Sequence, residues 1–296
     1  MKTVGYLSRG ADPEWLPRLL ATHGHIEGRN LRCVVRVASE DEKRLREQGQ
    51  ELVRLPADVL LTFGATNINL LTGLTRTIPI VCGGTADPIG IGYAKTLRRP
   101  GGNVTGLSYG VPEIAQVNVG LMRTLLPGLK RVVCVVDRSP RGREAAGWGR
   151  VLAAFDAAAG MVGARWEIVP AGTADELEDL VSGLDRRTTV AYHNTAPEVI
   201  PYATAAACSI RHRLASFSAS GQFAREGALL HYSINHADAH RRIAAIVHVL
   251  LRGANPAETP FEVPDRTTCI VNRATAKAIG ITLPAEVLAR ATEIIG

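Results

Sequence analysis

A carboxylate placed just past a buried strand can take a ligand's ammonium group. The chain offers one at Asp87, after the apolar run Ile78-Pro79-Ile80-Val81 and a string of small residues. In open α/β sheets ligands bind in the loops beyond the carboxyl ends of the strands, which makes Asp87 a candidate binding residue. Asp before Pro88 reads equally well as a turn former whose side chain accepts from backbone N–H groups, and both readings stand. The complementary chemistry, capture of a carboxylate or phosphate, is offered at Gly64-Ala65-Thr66-Asn67. There a strand end gives way to a helix start and exposes N–H groups and a hydroxyl, although Thr66 or Asn67 can also simply cap the helix. Ser8 closes the first strand-like run. Later strand ends contribute Asp137, Arg138, Asn194 and Ser218, each of which reads equally as a loop cap, and Tyr232 lies near an expected hinge. A buried ligand charge needs a partner, and this set supplies both signs. His193 ends an apolar strand, where a structural hydrogen bond is expected rather than proton chemistry.

Other chemistries find less support. Cys33, Cys82, Cys134, Cys208 and Cys269 are widely spaced, and four lie in apolar runs, so they read as small buried hydrophobes in a reducing compartment. A thiol-dependent, racemase-like enzyme would need Cys82 facing Cys208 or Cys269, and neither partner has a comparable strand-end setting. The eight histidines are dispersed apart from His236 and His240, expected on the polar face of a helix, and no metal or other cofactor is expected. No Gly-rich loop followed by Lys-Ser or Lys-Thr occurs, which argues against an ATPase. At 5% aromatic residues the sequence shows no aromatic box; Tyr6, Tyr109, Tyr192, Phe217 and Tyr232 are the rings near strand ends. The 34 basic against 28 acidic residues give +6, spread along the chain without aromatic interleaving, so nucleic acid is not an expected partner.

The elements that must position these residues alternate. Strands are expected at Val4–Leu7, Cys33–Val37, Val59–Phe63, from Ile78, and at Val104–Leu107, with helices at 15–20, 40–55 and 67–74 and a helical segment after Asp87. A helix from Pro112 to Leu125 opens a second series, with strands at Val132–Val136, Arg165–Val169, Thr189–His193, Leu214–Phe217 and Ala228–Tyr232. Helices are expected at 142–159, 174–184, 199–211 and 237–251, then a strand at Thr268–Asn272, a helix at 274–279 and a terminal helix at 284–295. The alternation predicts an α/β protein of two Rossmann-like lobes with parallel sheets, joined by a multi-crossing hinge. The boundaries read as 1–107 with 237–265 and 108–236 with 266–296, and 296 residues suit two such domains. No apolar run reaches the about 18 residues a membrane span requires, and Val4 already begins a strand where a secretory leader would sit.

Several stretches together carry a resemblance. Ile26-Glu27-Gly28-Arg29-Asn30, IPIV with Asp87-Pro88-Ile89-Gly90, and RPGGNVTGLS from Arg99 are followed by LLPGLKRVVCV from Leu125, RRIAAIVHVLLRGANPAETPFEVP from Arg241 and IVNRATAKAIGITLP from Ile270. In this order the chain resembles ABC-transporter substrate-binding proteins of the tryptophan/tyrosine type, with the type I periplasmic binding protein fold. The resemblance implies a non-catalytic receptor, a monomer or weak dimer, that closes on a small molecule such as an amino acid or related small carboxylate and hands it to an ABC permease. It implies a periplasmic or membrane-anchored protein; a cytoplasmic metabolite sensor of the same fold is the alternative if the start is genuine. Against the family pattern the chain carries Val117-Asn118, His231-Tyr232-Ser233 and Asp137-Arg138-Ser139-Pro140, differences that bear on the ligand more than on the fold.

Overall fold

The computed structural model describes residues 1–10, 14–38, 41–137 and 145–296, the side chains of 145–148 excepted. Apolar, often β-branched runs form strands where helices can cover both faces of a sheet. β1 (Lys2–Ser8), β2 (Leu31–Val37), β3 (Val59–Thr62), β4 (Ile80–Thr85) and β5 (Val104–Ser108) pair in parallel in the order β2-β1-β3-β4-β5. Every residue of β3 and β5 is buried, as a doubly covered parallel sheet requires. The connecting helices are α1 (Trp15–Ala21), α2 (Glu42–Arg54) and α3 (Ala65–Leu74). Asp41 caps α2 by accepting from the Arg44 N–H at 3.0 Å, and α2 turns Leu45 and Leu52 onto Leu7, Leu60, Ile68 and Ile80.

Two expectations for this region are corrected. The strand does not stop after Val81 but runs on through Cys82, Gly83, Gly84 and Thr85. A Cβ on Gly83 would lie 2.4 Å from the Phe63 ring and one on Gly84 1.8 Å from the Tyr109 ring, so glycine lets strand and rings share the space. The helical segment after Asp87 is instead a set of turns. The Ile91 N–H donates to the Asp87 carbonyl (3.1 Å) and the Tyr93 N–H to that of Pro88 (2.8 Å), and Gly92 sits at φ +91°, which a right-handed helix does not admit.

The second sheet comprises β6 (Arg131–Val136), β7 (Arg165–Pro170), β8 (Thr189–Asn194), β9 (Ala215–Ser218), β10 (Leu230–Ile234), β11 (Thr267–Asn272) and β12 (Glu293–Ile295). Their order is β12-β11-β10-β9-β8-β6-β7. Between them run α4 (Val111–Leu125), α5 (Ala145–Met161), α6 (Ala174–Ser182), α7 (Tyr202–Arg211), α8 (Gly221–Arg225), α9 (His236–Leu251), α10 (Arg273–Ile279) and α11 (Ala285–Arg290). Alternation along β6 builds both cores: Val132 and Cys134 join Ala115, Met122 and Phe155, while Val133 and Val135 join Leu177, Val181 and Ala205. The sheet is not wholly parallel, because β11 runs antiparallel to β10. No crossover helix separates β11 from the Pro-punctuated segment before it, and antiparallel neighbours need none. The expected terminal helix is likewise shorter: it ends at Arg290, and 293–295 add β12 beside β11.

By internal contacts the described residues divide into Met1–Gly110 with Asn235–Asp265, and Val111–Ile234 with Arg266–Gly296. In the first unit the returning segment covers the outer edge of β5. The Ser108 N–H donates to Glu262 O at 2.8 Å, the Glu262 N–H to Gly106 O at 2.9 Å, and Thr105 Oγ1 to Thr259 O at 2.8 Å. Covering an edge in this way leaves fewer unpaired backbone groups for another chain. Arg242 on α9 fastens the same segment through Asp238 (2.8 Å), Glu262 (3.3 Å) and Asp265.

Candidate functional site

In the first unit, four rings meet around the carboxyl end of the sheet. Phe63, one residue past β3, lies edge-on to Tyr6 of β1 (6.2 Å), Trp15 at the start of α1 (6.4 Å) and His240 of α9 (6.5 Å). His240 stacks flat on Trp15, centroids 4.1 Å apart and planes within 2°. Trp15, Phe63 and His240 are each only partly buried. Burial, with the charge of His236 second, lowers the His240 pKa and favours a neutral imidazole. Directly after Phe63, Gly64 at φ +82° starts α3 without a side-chain cap, so the first-turn N–H groups of a 10-residue helix follow the ring within two residues. Arg9 brings a guanidinium to the same turn, donating to Asn67 Oδ1 at 3.2 Å and ion-paired with Glu42. Flat apolar faces beside a positively polarised helix end suit a molecule with a ring at one end and a carboxylate at the other.

The residues expected from the sequence fall at the carboxyl ends of neighbouring strands in each unit. Ser8 ends β1, and its Oγ accepts from the Gly10 N–H (3.0 Å). Ala65 and Thr66 are the first two residues of α3; Thr66 lines a groove toward α2 with Glu42, Arg46 and Asn69. Asp87, at a loop after β4, accepts from the Gly90 N–H at 2.8 Å, as its turn-forming reading requires. In the second unit Asp137 follows β6, Asn194 ends β8 and Ser218 ends β9, and these strands are adjacent in the sheet. Asp137 is buried and accepts from the Ala196 N–H (2.8 Å), while Ser218 Oγ accepts from the Ser220 N–H (3.0 Å). Arg138 lies outside the described residues. Tyr232 packs on the core beside α4, and its carbonyl accepts from Asn118 Nδ2 at 3.1 Å. Asn118, one of the departures from the family pattern, is thus a buried tie between α4 and β10, and His231 is buried with Nδ1 3.0 Å from Ser218 O.

One expectation about the rings changes. An aromatic cluster does exist, but its members are mostly not those read from strand ends: Tyr192 and Phe217 are buried in the second unit's core, and Trp15, Phe63 and His240 take the role. Trp15 was hidden among the helical leucines, and His240 looked like a polar-face residue. Phe63 carried the one available signal, an aromatic residue at the end of VLLTF before a glycine. Cys82 is fully buried and its thiol is pushed up to about 12 by that burial, the opposite of a reactive nucleophile. His193 serves structure, as expected, with Nε2 3.3 Å from Ser209 Oγ. No helix among the described residues is long and apolar enough to cross a membrane.

Comparison with known proteins agrees with this architecture. A "Tyrosine-binding protein" of Clostridioides difficile (strain R20291) is 22% identical over 269 residues, which is 88% of this chain and 74% of that protein. A crystal structure of an ABC domain in complex with L-Trp from Streptococcus pneumoniae superposes with a TM-score of 0.81 at 22% identity, covering 99% of each chain. A conserved domain protein from Vibrio cholerae gives 0.81 at 23% identity, again over 99% of each. At these identities the structural likeness establishes the two-lobe, type I periplasmic binding protein fold. Residues 17–295 match the family described as ABC transporter substrate binding protein, and with that match over nearly its whole length the chain belongs to this family.

Proposed function

We propose that this protein is the solute receptor of an ABC importer and that its ligand is an aromatic amino acid or a closely related small carboxylate. The observation that carries the ligand class is the partly exposed Trp15–Phe63–His240 cluster beside the uncapped start of α3. The ring of the ligand packs on that cluster, and its carboxylate takes the α3 N–H groups with Arg9 and Ser8 close by. Asp87, at the end of a neighbouring strand of the same unit, supplies an acceptor for the ammonium group. Family membership supports closure of the two units on the ligand, a membrane permease as recipient, and work outside the cytoplasmic membrane. The names of the relatives, one tyrosine-binding and one holding L-Trp, favour the aromatic class.

Calorimetric titration with L-tryptophan, L-tyrosine, L-phenylalanine and L-leucine tests this reading. Saturable heat is expected with at least one aromatic amino acid, together with a concentration-dependent rise in Tm. Phe63→Ala is expected to weaken that binding roughly tenfold, or about 1.4 kcal/mol, through loss of ring contact. If no aromatic amino acid binds, or if Phe63→Ala binds as the wild type does, the ligand class proposed here is wrong.

A further inference from the structure

On the second unit the fold brings together a carboxylate, a thiol and an imidazole that sequence order keeps apart. Glu178 of α6, Cys208 of α7 and His212 just past α7 each offer a donor atom, and these atoms lie within 4.8 Å of one another. Cys208 and His212 are four residues apart, so they share one face of the helix's last turn. Glu178 Oε1 is 2.6 Å from His212 Nε2, and its other oxygen accepts from Arg211 Nη1 at 2.8 Å. Cys208 is buried, with Sγ 4.0 Å from the Leu177 carbonyl, while the side chains of Glu178 and His212 remain about a third exposed or less and open to solvent.

We infer that Glu178, Cys208 and His212 form a binding site for a borderline-soft divalent cation of the Zn²⁺ class. One thiolate, one imidazole and one carboxylate are the donor types such an ion takes, leaving the fourth tetrahedral position to water. Alkaline-earth cations, which demand several oxygen ligands, do not fit this set. On binding, the Cys208 S–H bond gives its proton to solvent and a sulfur–metal bond forms; His212 Nε2, the donor to Glu178, loses its proton to solvent while Nδ1 takes one up, so the neutral ring changes tautomer and the His212–Glu178 hydrogen bond gives way to two metal bonds. Arg211 keeps the second carboxylate oxygen and orients Glu178 from outside the coordination sphere. The ion would tie α6 to α7.

Titration of the metal-free full chain with Co²⁺ is the test. The expected result is a thiolate-to-cobalt charge-transfer band with tetrahedral d–d bands, abolished by Zn²⁺. Cys208→Ser removes the charge-transfer band, whereas Cys33→Ser, at a thiol of the first unit, keeps it. His212→Ala and Glu178→Gln, on partly exposed side chains, each weaken Co²⁺ binding by at least the roughly 10–100-fold that loss of an outer partner costs. These two variants decide the matter if Cys208→Ser does not fold. The inference is overturned by absence of the band, by its survival in Cys208→Ser, or by unchanged affinity in the two surface variants. It is also overturned if Co²⁺ binds without thiolate character, as it would at the imidazoles of His23, His25 and His248, where His25 Nε2 lies 2.9 Å from His248 Nδ1.

Discussion

Gly106→Ala is expected to destabilise the protein by about 4 kcal/mol or more, enough to abolish folding of the first unit in a marginally stable background. Gly106 sits on β5 opposite Cys82, at the point where the β4–β5 register shifts: Cys82 pairs with Gly106 but Thr85 with Ser108. Its φ is +145°, and a Cβ there would fall 2.0 Å from the Cys82 carbonyl oxygen and 2.7 Å from its carbon. Both obstacles are backbone atoms of a strand held between β3 and β5, so neither can swing aside as a flexible side chain would. The bulge thus needs a residue without a side chain. Gly102→Ala is the matched control, with nothing within 4 Å of its added methyl, and should change stability by less than about 1 kcal/mol. Urea unfolding of the two variants beside wild type measures the difference. A Gly106→Ala protein with the wild-type midpoint would mean that β4 and β5 do not approach in this way.

Acid should cost the protein about 3 kcal/mol through one residue, His193, whose pKa burial pulls down from 6.5 to about 4. The imidazole is 2% exposed, packs 4.8 Å from the Phe223 ring, and among the described residues has no partner for Nδ1. In the unfolded chain the same group titrates near 6.5. Between those two values the unfolded state binds a proton that the native state refuses. Stability attributable to His193 is therefore complete above pH 6.5, falls as pH drops through the window, and is lost below about 4. His25, His240 and His248, also lowered by burial first and neighbouring positive charge second, act in the same direction. His193→Gln should remove about 3 kcal/mol from the acid-induced loss while leaving the remaining slope to the other histidines and the carboxylates. Unfolding free energies measured at either end of the window check this; an undiminished loss in the variant would mean that His193 is solvated or paired in the native state.

Much of the fold was legible because the signals are local. The period of apolar residues located nearly every strand and helix within a few positions, and the alternation of β and α indicated parallel sheets flanked by helices. The stretches at IPIV, RPGGNVTGLS and IVNRATAKAIGITLP pointed to the family to which the chain belongs. Strand ends were also legible, so Ser8, Ala65, Asp87, Asp137, Asn194 and Ser218 do fall at or just beyond the carboxyl ends of neighbouring strands. Errors came where a local signal competes with a distant neighbour. Gly83-Gly84 looked like the end of a strand and is its continuation, because the rings of Phe63 and Tyr109 occupy the space their side chains would need. The terminal segment kept a helical pattern to Ile295 in sequence, yet its last residues complete the sheet beside β11.

The sequence by itself determined the elements, their order and the residues at their ends, since hydrophobic period, capping and turn chemistry act within a few residues. Only the tertiary structure decided which of them meet. Trp15, Phe63 and His240 come from α1, the end of β3 and a helix that returns to the first unit after the excursion Val111–Ile234, and Glu178 reaches Cys208 and His212 across two helices. Such meetings depend on strand order and on how helices pack across a sheet, which no short-range pattern encodes. The close contacts allowed by Gly83, Gly84 and Gly106 then fix those arrangements in place.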